Sequence, residues 1–152
     1  MPRLFRFTIR HSAADDMSNF NIPMAIGIGG FVGALLRFYI SAVVIRFSGD
    51  DYRFLGTLTV NLVGCLAIGV LMTVAAKTTF VSPVMQKFLI TGLLGSLTTF
   101  STFAFESLDL IQDGRYGAAM MKISVSLIVG LLLVWLGMLL AGVFVAAEND
   151  PV

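Results

Sequence analysis

Gly92-Leu93-Leu94-Gly95-Ser96-Leu97-Thr98-Thr99-Phe100-Ser101-Thr102-Phe103 sets two glycines and five hydroxyl side chains in the middle of a stretch that is otherwise apolar from about 84 to 110. A plain lipid-facing helix has no use for such a run. Non-helical backbone at membrane depth is tolerated only where it is buried in protein or lines a cavity, because the freed peptide groups need partners. The run therefore predicts a helix broken mid-membrane, whose freed carbonyls suit a hard cation such as sodium. A Ser/Thr-rich packing seam is the plainer alternative.

Three further apolar stretches surround this one, so that four are expected, at about 22–47, 54–76, 84–110 and 117–146. Each is long enough to cross a hydrocarbon layer of roughly 30 Å, which takes about 20 residues at ~1.5 Å per residue. The composition agrees: 57% of residues are hydrophobic and 12% charged, against about 25% charged in soluble domains. The breaks at Ser48–Arg53, Lys77–Pro83 and Gln112–Tyr116 carry turn residues and charge and leave no room for an extramembrane domain. The fold class is thus an all-α membrane protein of four transmembrane helices, with one domain over 21–147 and a short tail at 148–152.

Residues 1–20 stand apart as an N-terminal extension. Arg3, Phe5, Arg6, Phe7, Ile9 and Arg10 alternate basic and apolar character without a continuous apolar core, which argues against a cleaved signal peptide. The extension is either an amphipathic surface segment or an artefact of start assignment upstream of Met17. Lys and Arg near the helix ends are almost evenly divided, with Arg3, Arg6, Arg10, Lys77 and Lys87 on one side and Arg46, Arg53 and Arg115 on the other, and with Arg37 and Lys122 inside their helices on or towards that second side. With a start at Met17 the count is two against three. So weak a bias lets a chain insert either way, which makes an antiparallel dimer geometrically available. Net charge is +1, so no basic stripe for nucleic acid exists. Cys65, the single cysteine, builds neither a disulfide nor a thiolate metal site within one chain and reads as a small buried hydrophobe.

Polar side chains at bilayer depth mark function more sharply than anything else in such a chain. Arg37 ends a small-residue stripe beginning at Gly29; it either snorkels or lines an electropositive vestibule. Asn61 can offer its amide to an anion or bond a neighbouring helix. Phe100 and Phe103, three residues apart, project in nearby directions, and their positive ring edges could face a dehydrated anion, although such pairs are more often core. Glu106 reads as a solvated helix-end acid, with a residue at a pore mouth as the alternative. Lys122 is expected to snorkel, while Ser126 lies deep enough to need a partner.

Three motifs together carry a family resemblance: Gly-Gly-x-x-Gly-Ala-x-x-Arg from Gly29 to Arg37, Gly-Thr-Leu-x-Val-Asn from Gly56 to Asn61, and Gly-x-x-Thr-Thr-Phe-Ser-Thr-Phe from Gly95 to Phe103. Over about 25–142 the chain resembles the Fluc fluoride channels, also called CrcB. The resemblance implies an antiparallel, dual-topology homodimer with two pores in the cell (inner or plasma) membrane, exporting fluoride passively from the cytoplasm. A heterodimer with a paralogue would satisfy the same geometry. By position, Asn61 matches the pore asparagine, Phe100 and Phe103 the phenylalanines of the fluoride path, Ser101 and Thr102 its polar track, and Ser126 a pore serine. Gly95 and Thr98 match the residues whose carbonyls hold a central structural sodium. The chain departs from the family at Lys122, where many relatives carry tyrosine. A cation there would attract fluoride or hold it too tightly for fast release, so reduced conductance is expected.

Two rivals belong to other classes. A proton-coupled multidrug-type exporter needs an embedded carboxylate in its first helix, and that segment contains Arg37 but no Asp or Glu. A non-conducting tetraspan subunit would not need asparagine, hydroxyls and phenylalanines gathered at one depth. An enzyme is not expected, since the only histidine, His11, lies in the extension and no nucleophile–base pair is in evidence.

Overall fold

The computed structural model describes residues 20–148, so the N-terminal extension and the last residues of the tail lie outside the described residues. Every regular element among the described residues is helical. We label them α1 (Asn21–Ser48), α2 (Phe54–Lys77), α3 over residues 83–97, α4 (Phe100–Gln112) and α5 (Tyr116–Glu148). The path of α3 is α-helical over Pro83–Gln86, π-helical over Lys87–Leu94 and α-helical again over Gly95–Leu97. Four helical paths are long and apolar enough to cross a membrane: α1, α2, α3 with α4, and α5. Their ends lie within about two residues of the ends expected from hydropathy.

Local chemistry fixes the boundaries. α3 starts where Ser82 accepts a hydrogen bond from the Met85 N–H and Pro83 occupies the first turn, where its missing N–H costs nothing. The chain leaves α1 through Gly49 and α4 through Gly114, at φ of +84° and +72°, a backbone region that a side chain would strain. At that end the Arg115 guanidinium lies 5.8 Å from the Tyr52 ring centroid, joining the first and third loops.

Apolar helices in lipid gain little from hiding hydrophobic surface from one another, so close approach of backbones decides their packing. Two glycine seams supply it. On α1, a Cβ at Gly29 would strike the Phe88 carbonyl and one at Gly33 the Leu93 carbonyl, while Gly92 of α3 sits equally tight against Ile26. Between α2 and α5, Gly69 faces the Val134 carbonyl and Gly137 the Leu66 carbonyl. Val60, Leu94 and Leu97 form a buried cluster where α2 meets α3. These contacts hold α2, α3 and α5 around the point where α3 stops.

Candidate functional site

Helical geometry ends at Leu97: Thr98 and Thr99 are extended, at φ/ψ of −84°/154° and −150°/118°, and α4 begins at Phe100. Thr99 caps α4, its Oγ1 accepting from the Thr102 N–H at 3.3 Å and donating to Thr102 Oγ1 at 3.1 Å. Thr98 Oγ1 turns back to donate to the Leu94 carbonyl at 3.0 Å. The Leu94 carbonyl also keeps its helical partner, the Thr98 N–H at 3.0 Å, so it is the Thr99 hydroxyl that takes over a peptide N–H which a continuous helix would have paired.

Asn61 closes the interruption from α2. Its Oδ1 accepts from the Thr99 N–H at 2.9 Å and its Nδ2 donates to the Thr99 carbonyl at 3.2 Å. An amide that grips one residue's N–H and C=O replaces a backbone partner, and it keeps one Nδ2 proton to offer elsewhere. The sequence left open whether Asn61 would bond a helix or face a ligand; here it bonds the backbone and still lines a cleft.

That cleft, about 400 Å³ in volume, is bounded by Asn61, Gly95, Thr98, Thr99, Phe100, Phe103 and Ser126, with Cys65 also at its wall. The two phenylalanine rings stand 5.6 Å apart, tilted by 40°. Phe100 is 78% exposed, so none of the described residues encloses its ring. Ser126 Oγ is buried and has no hydrogen-bond partner among the described residues, an unusual state for a buried hydroxyl, which ordinarily finds one. Six expected residues therefore meet at one wall: Asn61, Gly95, Thr98, Phe100, Phe103 and Ser126. Ser101 and Thr102 do not border the cleft; they connect to it through the Thr99 hydroxyl. Arg37 is half-buried on α1 and lies outside the lining.

Lys122 and Glu106 differ from their sequence reading. Lys122 does not snorkel: it is fully buried on α5, with Nζ 2.8 Å from Glu106 Oε2 and 3.0 Å from the Phe103 carbonyl. Glu106 is not simply a solvated acid, since Oε1 also accepts from Thr57 Oγ1 at 2.9 Å. Thr57 and Thr99 were not singled out, yet each holds a partner across helices. Charge balance was the overlooked signal, because one acid and one base at bilayer depth are each prohibitive alone and tolerable together.

Four helical paths long and apolar enough to cross a membrane, one of them interrupted, with amide, hydroxyl and aromatic groups facing one cleft, define a small multi-pass membrane protein. The chain belongs to the CrcB family: the family described as CrcB-like protein, Camphor Resistance (CrcB), matches residues 24–138. It is similar to the fluoride-specific ion channel FluC of Methylobacillus flagellatus, at 48% identity over 115 residues covering 75% of this chain and 89% of the relative. It is also similar to the FluC of Hydrogenovibrio crunogenus, at 45% identity with 75% and 86% covered. The FluC of Clostridium perfringens is 36% identical over 125 residues, 82% of this chain and 97% of the relative.

Proposed function

We propose that this chain is a fluoride-selective channel, not an enzyme, that passes fluoride out of the cytoplasm passively as an antiparallel homodimer in the cell's inner or plasma membrane. The observation that carries this reading is the unpartnered Ser126 hydroxyl, buried in the cleft that Asn61, Phe100 and Phe103 also line. A buried hydroxyl without a partner is destabilising by roughly 1–3 kcal/mol, and a small hydrogen-bond-accepting anion would satisfy it. The free Nδ2 proton of Asn61 and the positive edges of the two rings add weak donors on the same wall. Weak, multiple contacts suit conduction, which requires that an ion also leave. Several relatives are named fluoride-specific channels, and this supplies the identity of the anion.

The dimer is supported by the openness of the cleft and by the near-even distribution of Lys and Arg between the two faces. A second chain lying against the open side would cover Phe100. Under this reading the interruption lies at mid-membrane depth, within the 30-residue span Pro83–Gln112.

The donor set at the interruption fits a structural sodium ion. In a continuous helix the Gly95 carbonyl would accept from the Thr99 N–H and the Thr98 carbonyl from the Thr102 N–H. Both N–H groups are diverted, the first to Asn61 Oδ1 and the second to Thr99 Oγ1. The two carbonyls are thereby freed together, and a hard cation is the partner such oxygens favour. Bound there, sodium would supply fixed positive charge that locks the interruption open; Gly95 and Thr98 of each subunit would hold it.

The test is fluoride efflux from liposomes containing the purified chain, followed with a fluoride electrode, beside chloride-loaded vesicles and a Phe100→Ile variant. Rapid fluoride efflux, absent in the variant and unaccompanied by chloride leak, is the expected result. Folded protein that passes no fluoride would overturn the reading. A proton-coupled exporter gains nothing from the structure, since α1 carries no carboxylate from Asn21 to Ser48.

A further inference from the structure

An ammonium with no exposed surface is expensive at any depth of a membrane unless its charge is cancelled. Lys122 meets that condition through a single carboxylate, Glu106, at 2.8 Å, and through the Phe103 carbonyl at 3.0 Å. The same Nζ lies 5.3 Å from the centroid of the Phe103 ring, within the range of a cation–π contact. The Phe103 carbonyl is held a second time by Ser107 Oγ at 2.6 Å. Thr57 Oγ1 donates to the other oxygen of Glu106, so one polar chain joins α2, α4 and α5 beside a residue that lines the cleft.

Burial decides what the lysine does. Its side chain has 0% exposure and Glu106 keeps 23%. Neither borders the cleft, whereas Phe103, which both the Lys122 hydrogen bond and its cation–π contact engage, does. We propose that Lys122 is a positioning residue for permeation: it cancels the charge of Glu106 and pins the backbone and ring of Phe103, without touching the anion itself. This inference rests on the channel reading and replaces the expectation that Lys122 acts as a free cation attracting fluoride. The path past α4 is then electrically neutral because two charges are fixed against each other, not because charge is absent.

The experiment measures fluoride efflux over a range of fluoride concentrations for the full chain in liposomes, with Lys122→Met, Lys122→Arg, Glu106→Gln and the double variant Lys122→Met with Glu106→Gln. Lys122→Met leaves a carboxylate alone and is expected to raise the half-saturating fluoride concentration and lower maximal flux by about tenfold. Glu106→Gln leaves the ammonium alone, so half-saturation should fall several-fold while maximal flux also drops, because a tightly held ion leaves slowly. The double variant has no uncompensated charge and should return to within roughly threefold of the wild type. Its residual deficit measures the lost tether on Phe103, and Lys122→Arg should keep most of the activity.

A pair that only holds the fold would lower the melting temperature in the single variants and leave half-saturation unchanged in every variant that folds; that result overturns the proposal. So does a double variant no better than Lys122→Met. Should Lys122→Met fail to fold, Glu106→Gln and the double variant decide the question by their half-saturation alone. A wild-type chain that passes no fluoride is recognised before any variant is compared, and removes the channel reading together with this one.

Discussion

The seam between α1 and α3 and the interruption between α3 and α4 solve the same problem by opposite means. At the seam, Gly29, Gly33 and Gly92 bring backbone against backbone with no side chain between, and dispersion over a close-fitting surface does the holding. At the interruption the backbone has left its helix, and the holding is done by named hydrogen bonds from Asn61, Thr98 and Thr99. The first device depends on shape and tolerates no added atom. The second depends on partners and tolerates atoms but not the loss of a donor. A helical path that stops and restarts, as this one does between Leu97 and Phe100, needs both, since the seam holds α3 still while polar groups complete its end.

The largest effect is expected where shape is violated. Gly33→Ala would drive a Cβ into the Leu93 carbonyl, a backbone atom that cannot swing aside, and separating the two helices should cost about 3 kcal/mol or more. Gly27 lies two turns earlier on α1 with nothing within 4 Å of its Cβ position, so Gly27→Ala should be neutral. Melting temperatures of the two variants in detergent make the comparison. Equal values would mean that glycine in α1 acts through flexibility and not through close approach.

Next in size is the loss of a partner. Asn61→Ala leaves the Thr99 N–H and carbonyl without the amide that grips both, at a cost of about 2–4 kcal/mol. Because the interruption would rearrange, fluoride flux should fall about a hundredfold or more, beyond what the loss of one anion contact explains. Asn61→Asp keeps an acceptor for the Thr99 N–H but loses the donor, and should stand between wild type and alanine in stability. If alanine and aspartate melt together with wild type, the grip on Thr99 contributes nothing.

The contrast also explains what could be read in advance. The four apolar stretches and their ends followed from hydropathy and turn residues, because those signals are local. Gly95, Ser96, Thr98 and Thr99 announced an interruption by the same logic, since so many polar groups in one turn cannot all be idle. What stayed hidden is pairing between helices. Asn61 and Thr99 are 38 residues apart and Lys122 and Glu106 are 16 apart, and no periodicity connects them. Lys122 looked like a snorkelling residue because a long cation usually reaches water. Only the position of Glu106 on the facing helix shows why it does not. The π-helical turn over Lys87–Leu94 has no compositional signature that we can identify.

Ser126 gives the smallest expected effect on the fold and tests which kind of region the cleft is. Its hydroxyl is buried without a partner, so Ser126→Ala removes a desolvated polar atom and adds no clash. Deleting a buried group that makes no hydrogen bond should stabilise the empty protein, by about 1 kcal/mol. Fluoride flux should nevertheless drop a few-fold, because a donor to the anion has gone. The two readouts move in opposite directions only if the residue serves the ion and not the fold. Ser126→Thr, which keeps the hydroxyl and adds a methyl, should reverse the flux loss unless the added bulk obstructs the cleft. A Ser126→Ala protein that melts lower and conducts as before would place this serine among the structural partners, with Asn61 and Thr99, and would leave the cleft without a hydroxyl to offer a passing ion.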